Sequence, residues 1–430
     1  MKNTSLFKFL FVFALVMVAS CSKSEDPIKP AEADLELMLE SDSGVDVLSL
    51  NELVNFTVSG NDGEDYTTLA KIFINDTEID NPYYTFSSTG TFEVKAVHEN
   101  VTSNLLNFDV IADTERVLRV STSKALRQQT VTFTLLDVNG EDTSADADFY
   151  VNGSAITGNT FLSANVGDFE VYADYQVAGE DYSSEIKNFE VFIPKRKVVI
   201  EDYTGTWCGF CPKVVLAIEA VEAVTHDVAI VAIHKTAGSL PDPMDFPEIT
   251  VLQDAFGIPN GFPKAQINRT NNWAEPFEVA EVTDMAGTDT NVSIAINSQL
   301  EGDNLTVDVK VIYEAGSESG DKLVVYLVES GIIYPQTNYF DTIVGHPYYG
   351  LGNPIPDYEH NDALRNSLSY VLGDAISATP AFNEFTKSYS LTIPSEYNPE
   401  NLSIVAMVVK ADNEAKNAQT ADVNENKNYE

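Results

Sequence analysis

Cysteine is scarce in this chain, and its scarcity limits what can hold the molecule together. Among 430 residues there are only three cysteines, Cys21, Cys208 and Cys211. This number leaves no room for a framework of structural disulfides. The domains must therefore be stabilised by hydrophobic cores, and a chain of this length with 44% hydrophobic residues can form several of them.

Basic residues are also few. The chain has 25 Lys and Arg against 66 Asp and Glu, which gives a formal net charge of −41. This balance argues against binding to nucleic acid or to anionic lipid surfaces, because both need basic patches. No D-x-D-x-D-G calcium loop is present. We interpret the acidity as a solvated surface that keeps the protein soluble; weak binding of divalent cations is the alternative.

A long apolar run occurs only near the start of the chain. Residues 9–18 are apolar but too few to span a bilayer comfortably, and the basic residues Lys2 and Lys8 precede them. This pattern predicts a secretory signal peptide over residues 1–20. The sequence V-A-S-C at 18–21 resembles the lipobox of bacterial lipoproteins. That resemblance implies that Cys21 becomes the lipidated, palmitate-bearing first residue; a plain signal peptide with a coincidental cysteine is the alternative.

Residues 21–33 are polar and contain proline, which is typical of a tether between a lipid anchor and a first domain. The Ser/Lys/acid run directly after Cys21 is similar to the surface-export signal of Bacteroidetes lipoproteins.

An internal repeat follows the tether. The two copies share apolar-polar alternation and a set of motifs in the same order: V-N-F-T-V (54–58) and V-T-F-T-L (131–135), G-T-F-E-V (90–94) and G-D-F-E-V (167–171), N-F-D-V (107–110) and N-F-E-V (188–191). Short alternating runs broken by turn residues predict antiparallel β-sandwiches over 34–112 and 113–193. The copies resemble immunoglobulin-like modules of bacterial surfaces. We interpret them as spacers; adhesion or ligand binding through their loops is the alternative.

The third region contains a Cys-x-x-Cys motif. An apolar strand, Val198–Tyr203, leads through a turn into W-C-G-F-C-P at 207–212, at the predicted start of a helix. A helix N-terminus stabilises a thiolate on Cys208, and Cys211 lies one turn on, close enough to form a disulfide. A structural disulfide is one alternative. A zinc site is another, but it needs about four ligands, and there is no second Cys-x-x-Cys.

W-C-G-F-C-P after a strand resembles the active site of the thioredoxin superfamily, which implies a thioredoxin-like domain over 194–287. By that resemblance, Cys208 and Cys211 form a redox disulfide, and Trp207 precedes it as in the family. Asp202 takes the place of the family's buried acid, which handles the proton of the second thiol. Pro263, directly before a predicted strand, takes the place of the cis-proline that aligns substrate backbone.

Other residues of this region have less specific signals. Pro259 is a second candidate for the cis-proline. His234 ends the predicted strand Val228–His234, where it either tunes the cysteines, binds a metal, or forms only a local hydrogen bond. A second strand after Pro263 is weakly indicated, because N-R-T-N-N-W is polar.

From residue 288 to 423 the pattern predicts a C-terminal β-sandwich-like domain. Strands are predicted over 304–313, 322–328 and 402–409, with one helix over 361–372 after an aromatic, Gly- and Pro-containing loop, Tyr334–His360. Residues 424–430 are expected to fray. The fold class is thus multidomain and mainly β with one α/β domain.

Two motifs carry a wider resemblance. I-N-R at 267–269 and H-N-D-A-L-R-N-S-L at 360–368 resemble the outer membrane protein 28-related family of Bacteroidetes lipoproteins, over roughly 197–423. The resemblance implies a lipid-anchored location at the outer membrane, facing the periplasm or the cell surface.

These observations predict thiol–disulfide exchange on envelope or surface proteins. Cys208 would attack a substrate disulfide as the thiolate, Cys211 would resolve the mixed disulfide, and Asp202 would take its proton. The partners are protein thiols and disulfides and the membrane; no cofactor and no metal is expected. The alternative is a non-catalytic surface binding or adhesion lipoprotein whose Cys-x-x-Cys is a structural disulfide.

The reduction potential of the Cys208–Cys211 pair discriminates between these two functions. A structural disulfide should have a potential below about −300 mV, and an exchanging one should lie at roughly −270 to −120 mV. If the chain is an oxidoreductase, Cys208→Ser should abolish insulin reduction, and unchanged activity would contradict the enzyme hypothesis. The measurement is a redox titration of the chain without residues 1–21.

Overall fold

The computed structural model describes residues 35–430. The predicted signal peptide, Cys21 and the tether therefore lie outside the described residues. The described chain is mainly β, with only three α-helices, and it divides into one unit that ends at Ala112 and a second unit, Asp113–Glu430. Within residues 35–430, no helix combines the length and the apolar character needed to cross a bilayer.

The first unit is a two-sheet β-sandwich. One sheet has the order β1-β3-β6 and the other β2-β9-β7-β4-β5, with β8 on β7. Inward-facing residues of both sheets, such as Phe56 and Phe108, form its core. Its strands are β1 Leu37–Ser41, β2 Val47–Ser49, β3 Leu53–Gly60, β4 Lys71–Ile74, β5 Thr77–Ile79, β6 Tyr83–Thr85, β7 Gly90–His98, β8 Val101–Thr102 and β9 Leu106–Ile111.

The second unit begins with a sandwich of the same strand order. Its sheets are β10-β12-β15 and β11-β18-β16-β13-β14, with β17 on β16. Its strands are β10 Val117–Val120, β11 Lys124–Leu126, β12 Val131–Leu136, β13 Ala147–Val151, β14 Ser154–Ala155, β15 Thr160–Phe161, β16 Gly167–Val177, β17 Glu180–Ser183 and β18 Lys187–Phe192, with a 3₁₀ turn at Ser144–Asp146.

The repeated asparagines explain part of the sequence repeat. Asn75 and Asn152 both adopt left-handed backbone conformations, with φ of 46° and 47°. Their side-chain oxygens accept hydrogen bonds from the backbone N–H of Glu93 and Glu170, at 2.8 and 2.9 Å. Asparagine tolerates this conformation better than most residues. Its side chain also holds the neighbouring strand of the sheet in place, which is β7 in the first copy and β16 in the second.

The Cys-x-x-Cys lies in a β-α-β unit. The strand β19 Val198–Thr204 runs parallel to β20 Val228–His234, and both are buried at every position. Burial at every position is typical of parallel strands covered on both faces. The helix α1 Pro212–Glu222 packs on one face through Val214 and Ile218. The remaining elements are α2 Ile249–Phe256, β21 Lys264–Ile267, β22 Asn271–Trp273 and α3 Ala280–Thr283.

The sheet has the order β22-β21-β19-β20 in this region, with β21 antiparallel to β19. The strand β22, which the polar sequence indicated only weakly, is present because Trp273 is buried against α3 and anchors it. Helix α2 covers the opposite face through Ile249 and Leu252.

The same sheet continues into the C-terminal residues through β28, β25, β31 and β32. One face of β25, with Leu323, Val325 and Leu327, packs on a second sheet of order β30-β24-β23-β33. The strands are β23 Val292–Glu301, β24 Asn304–Tyr313, β25 Lys322–Glu329, β26 Ile332–Ile333, β27 Glu359–His360, β28 Ala363–Ser367, β29 Asp374–Ala375, β30 Glu384–Thr392, β31 Leu402–Val409, β32 Ala415–Asp422 and β33 Asn426–Lys427, with a 3₁₀ turn at Pro399–Asn401.

Two expectations for this region are wrong. The predicted helix over 361–372 is instead β28, which pairs with β25 and meets β20 at Ala363, so strand pairing overrides helix propensity. The tail 424–430, expected to fray, contains β33 paired with β23. Glu430 is also held, because its side chain pairs with Lys197 at 2.7 Å and its backbone bonds with Ser293. The predicted domain boundaries stay predictions.

A buried ion pair ties β19 to the C-terminal strands. The side chains of Glu201 and Arg269 are fully buried, with 3.0 Å between Oε1 and Nε. Tyr203 donates a hydrogen bond to the other carboxylate oxygen at 2.9 Å. The Nη2 of Arg269 donates to the hydroxyl of Tyr326 on β25 at 2.9 Å and to the carbonyl oxygen of Val371 at 3.2 Å. The arginine of I-N-R therefore joins three parts of the chain.

We expect Arg269→Met to lower the free energy of unfolding by about 3–5 kcal/mol, because it leaves the Glu201 carboxylate buried without its partner. The double variant Glu201→Gln/Arg269→Met should lose less than the sum of the single changes. Unfolding in urea can be followed by tryptophan fluorescence, since the only two tryptophans, Trp207 and Trp273, lie in this region.

A surface pair supplies the matched control for this measurement. Lys410 pairs with Glu414 at the surface, so Lys410→Met should change the free energy of unfolding by about 0–1 kcal/mol. Equal effects of Arg269→Met and Lys410→Met would contradict the structural role of the buried pair.

Candidate functional site

The two cysteines lie at the junction of β19 and α1 and form a disulfide. The helix begins at Pro212, so Cys208 lies in the turn before it and Cys211 at its N-cap. The backbone N–H of Cys208 donates to the carbonyl oxygen of Gly205 at 2.9 Å, and that of Cys211 to the carbonyl oxygen of Cys208 at 3.1 Å. The helix thus starts later than the sequence predicted, with the first cysteine outside it.

Both cysteines are buried, with only 3% of Cys208 and 2% of Cys211 exposed. They are covered by residues 334–360, which we call the covering segment. The strand β26, directly before this segment, pairs with β27 at its end, so the chain returns to where the segment began. The backbone N–H of Thr337 donates to the carbonyl oxygen of Thr206 at 2.8 Å, and that of Tyr339 donates to Gly209 at 3.0 Å.

Side chains of the covering segment complete this cover. The amide nitrogen of Gln336 donates to the carbonyl oxygen of Cys208 at 2.9 Å. The ring of Tyr339 lies against Gly209, where an added Cβ would be 2.4 Å from ring atoms, so that a larger residue would require this half-exposed ring to move. The same ring meets Phe210 edge-on, with 5.0 Å between ring centroids.

The covering segment keeps its shape through one buried asparagine. The side-chain amide of Asn338 is fully buried and donates to the carbonyl oxygens of Tyr348 and Gly352, both at 3.0 Å. Its side-chain oxygen accepts from the backbone N–H of Phe340 at 2.9 Å. Sequence analysis identified this stretch as an aromatic loop but missed that it covers the cysteines. A contact between residues this far apart leaves no local signal in the sequence.

Asp202 lies on β19, only 1% exposed, and its Oδ1 has no hydrogen-bond partner among residues 35–430. Burial raises the pKa of this carboxyl to about 8. Asp202 and Cys211 line one cavity of about 410 Å³ between α1, the end of β20 and the covering segment. The structure therefore brings together the predicted acid and the predicted second thiol.

Pro263 and Trp207 lie elsewhere around the cysteines. The Phe262–Pro263 peptide bond is cis, whereas Pro259 is not preceded by a cis bond. Pro263 lines a separate groove with Phe210, and Asp202 is not part of its lining. The indole N–H of Trp207 donates to the carbonyl oxygen of Lys235 at 2.6 Å, and its ring stacks on Phe262.

His234 also lines the cavity that contains Asp202. Its Nδ1 lies 3.0 Å from the carboxylate of Asp242, and that carboxylate also accepts the backbone N–H of Thr206 at 2.8 Å. Burial alone would raise the pKa of Asp242, but these hydrogen bonds outweigh it and hold the pKa below its ordinary value. The pair thus fixes the loop after β20 to the turn before Cys208.

A second histidine faces the first across the cavity. The ring of His360 lies 5.4 Å from that of His234, and its Nε2 donates to the carbonyl oxygen of Tyr334 at 3.1 Å. Burial, with a smaller effect of His234, lowers the pKa of His360 to about 4, so it is neutral near pH 7. Among the described residues, no three His, Cys, Asp or Glu side chains converge as metal ligands would.

Residues 250–427 match a family model described as Outer membrane protein Omp28. This part of the chain is thus similar to the outer membrane protein 28 family, as the I-N-R motif and the 360–368 motif indicated. The matched residues begin after the Cys-x-x-Cys and do not include it. The comparison with curated proteins gives no match.

Several solved structures are similar to parts of the chain. HBP35 of Porphyromonas gingivalis is 18% identical, with a TM-score of 0.41, over 54% of this chain and 77% of its own. The fibronectin(III)-like modules of Clostridium thermocellum CbhA are 18% identical, with a TM-score of 0.16, over 36% of this chain and 93% of theirs. The D00-D0 domain of intimin is 13% identical, with a TM-score of 0.16, over 36% and 98%.

We expect Asp202→Asn to stabilise the protein increasingly as the pH rises. The ordinary pKa of an aspartate is 3.8, and burial raises that of Asp202 to about 8. Between these values the folded chain keeps a proton that the unfolded chain has released, so the wild type loses stability as the pH increases. Asparagine cannot ionise. Because one pKa unit corresponds to about 1.4 kcal/mol, the variant should gain a few kcal/mol by pH 8 and almost nothing near pH 4.

The measurement is urea unfolding at several pH values between 4 and 8, approximately the range set by the two pKa values. Asp254→Asn, at an exposed acid on α2, is the control and should follow the wild type. A pH-independent difference between Asp202→Asn and the wild type would contradict the buried, neutral carboxyl.

Proposed function

We propose that this protein is a non-catalytic binding protein of the outer membrane, anchored by lipid on Cys21, in which the Cys208–Cys211 bond is structural. The similarity of residues 250–427 to a family described as an outer membrane protein supports the location. The lipobox-like sequence ending at Cys21 supports the lipid anchor.

The burial of the disulfide carries the proposal. Thiol–disulfide exchange requires a thiolate to reach one of the two sulfur atoms. Here both cysteines are almost fully buried, and the covering segment donates hydrogen bonds to three backbone carbonyl groups around them, those of Thr206, Cys208 and Gly209. A partner would have to displace these bonds before any exchange. A covered bond of this kind favours a structural role.

The other domains fit a binding protein held away from the membrane. In this proposal the sandwiches over 34–112 and 113–193 are immunoglobulin-like spacers, 194–287 is a thioredoxin-like domain, and 288–423 is the C-terminal β-rich domain. The order β22-β21-β19-β20 with α1 between the parallel strands supports the thioredoxin-like part. Arg127 on the second sandwich pairs with Glu314 at 3.0 Å, which supports a fixed spacer there.

We expect the native disulfide to resist reduction until the covering segment opens. Tyr339→Ala removes the ring from Gly209 and should speed reduction by dithiothreitol about tenfold, because a loss of about 1.4 kcal/mol in closing makes the open form tenfold more populated. Gln336→Ala should act in the same direction. The rate is measured by alkylating the freed thiols at successive times and following the mass of the intact chain by mass spectrometry.

Tyr349→Ala is the matched control, since Tyr349 lies in the same segment and is about as exposed as Tyr339, 49% against 52%, but its ring does not lie against Gly209. It should leave the rate unchanged. Rapid reduction of the wild type, at the rate of the unfolded chain, would overturn the structural role. In a separate variant, replacement of both cysteines should lower the free energy of unfolding by about 2 kcal/mol, as expected for a disulfide that closes a very short loop.

Thiol–disulfide exchange is the second candidate, and one observation favours it. Asp202, with its raised pKa, lines the same cavity as Cys211. In the reduced protein, Cys208 would attack a substrate disulfide, and one substrate sulfur would leave as a thiolate. Cys211 would then attack Cys208 in the mixed disulfide after passing its proton to Asp202, which regenerates the Cys208–Cys211 bond and releases the second substrate thiolate. Pro263 and Trp207 would align the substrate chain.

The insulin assay separates the two candidates. Under the structural proposal the wild type does not speed insulin reduction beyond dithiothreitol alone. Activity that is lost in Cys208→Ser, and raised in Tyr339→Ala, would instead establish exchange gated by the covering segment. Cys211→Ser should then trap mixed disulfides with envelope proteins.

A further inference from the structure

The cavity behind the disulfide has the size of a small-molecule site. Its volume of about 410 Å³ lies within the range of roughly 300–1,000 Å³ that is usual for such sites. Helix α1 forms one wall, and residues 355–362 form the opposite wall. His234 and Asp202 lie where the strands β20 and β19 meet the cavity, and both are buried.

The charges around the cavity have one sign. Six carboxyl groups line it, and no lysine or arginine does: Asp202, Glu219, Glu222, Asp357, Glu359 and Asp362. Within residues 35–430, none of the six forms an ion pair with a basic side chain. His360 does not compensate them, because it is neutral near pH 7. Four of the six, Glu219, Glu222, Asp357 and Glu359, are exposed to solvent, so the cavity has an excess of acidic groups and lacks a lysine or arginine of its own.

One of these carboxyl groups also lacks a hydrogen bond. Oδ1 of Asp202 is buried and has no partner in the described chain, which is costly for a buried polar atom. Burial raises the pKa of Asp362 to about 7, and the nearby Glu222 adds a smaller contribution. Burial likewise raises the pKa of Asp202. Burial thus disfavours the charged form of both carboxyl groups. A ligand that brings an N–H donor and a positive charge would satisfy them.

Part of the remaining wall is apolar or aromatic. Ile218, Ile230 and Ile355 line it together with the rings of Tyr348 and Tyr358. These side chains suit methylene groups, and tyrosine faces also attract an ammonium group. We propose that the cavity binds a small molecule with a primary ammonium group on a short apolar chain, with the ammonium hydrogen-bonded to Asp202. The inference rests on the proposed function, in which the chain is a binding protein.

A metal ion fits this cavity less well. Calcium needs six to eight oxygens converging at about 2.3–2.6 Å, and no three candidate ligands converge in the part of the chain described. The carboxyl groups are instead spread around the wall, which matches a larger cation with apolar parts. A quaternary ammonium would supply charge but no N–H for Asp202.

Calorimetric titration of the full chain at pH 8 and low salt tests the proposal, with n-pentylammonium as the probe. We expect saturable binding with a Kd on the order of 1 mM or lower. The neutral isostere 1-pentanol should bind at least roughly tenfold more weakly, and so should n-pentyltrimethylammonium, which cannot donate a hydrogen bond. Nα-acetyl-lysine methylamide carries the same ammonium on a peptide: comparable binding assigns the site to lysine side chains, and weaker binding assigns it to free amines.

Two variants show where the probe binds. Asp202→Asn and Glu222→Gln should each weaken pentylammonium binding, the first by roughly tenfold or more. Glu281→Gln, at an exposed acid on α3 outside the cavity, should bind as the wild type does. No saturable binding, equal binding of 1-pentanol, or unchanged affinity in Asp202→Asn would overturn the proposal. A disulfide that exchanges readily in the dithiothreitol assay would overturn the proposed function, whereas the titration, run on the oxidised chain without reductant, tests the cavity separately.

Discussion

The buried pair of Glu201 and Arg269 is the interaction on which the architecture around the cysteines depends. It lies inside a sheet that runs from β22 to β32, with Arg269 reaching from the turn after β21 to Tyr326 on β25. Two buried charges are tolerable only when both are paired and hydrogen-bonded. The strand that carries Asp202 and leads to the cysteines therefore has its position set by residues far along the chain. The Cys-x-x-Cys region and the C-terminal strands form one packed structure here.

That common structure explains why the covering segment can lie where it does. Its base is the β26–β27 ladder, next to β25 and β28, which are strands of the same sheet as β19 and β20. The segment forms two surfaces at once. Its start, around Gln336 and Tyr339, closes over the disulfide, and its end, around Tyr358 and His360, forms one wall of the acidic cavity. Opening the segment would expose the sulfur atoms and remove one wall of the cavity, so redox access and ligand binding would oppose each other.

Much of the fold could be predicted from the sequence, where the signal was local. Strict alternation over Asn304–Tyr313 matched β24 in full, and the repeat indicated two sandwiches of one strand order. The resemblance of W-C-G-F-C-P to the thioredoxin superfamily implied a buried acid at Asp202, a disulfide at Cys208 and a cis peptide bond before Pro263, and the structure contains all three. The failures arose where distant parts of the chain meet. Residues 363–367 form a strand because they pair with β25 and meet β20. The tail is ordered because β33 pairs with the edge of β23. The cover over the cysteines was missed for the same reason.

The contact between Tyr339 and Gly209 has a consequence for how this sequence can vary. The two residues between the cysteines of a Cys-x-x-Cys are ordinarily the place where a side chain can be exchanged to adjust the chemistry of the pair. Here the first of them is constrained, because any side chain would meet the tyrosine ring unless that half-exposed ring moved. Glycine at 209 and an aromatic residue at 339 should therefore vary together among related chains, although more than a hundred positions of sequence separate them. A related chain with another residue at 209 should also have lost or rearranged the tyrosine, and this pairing can be recognised from sequence alone.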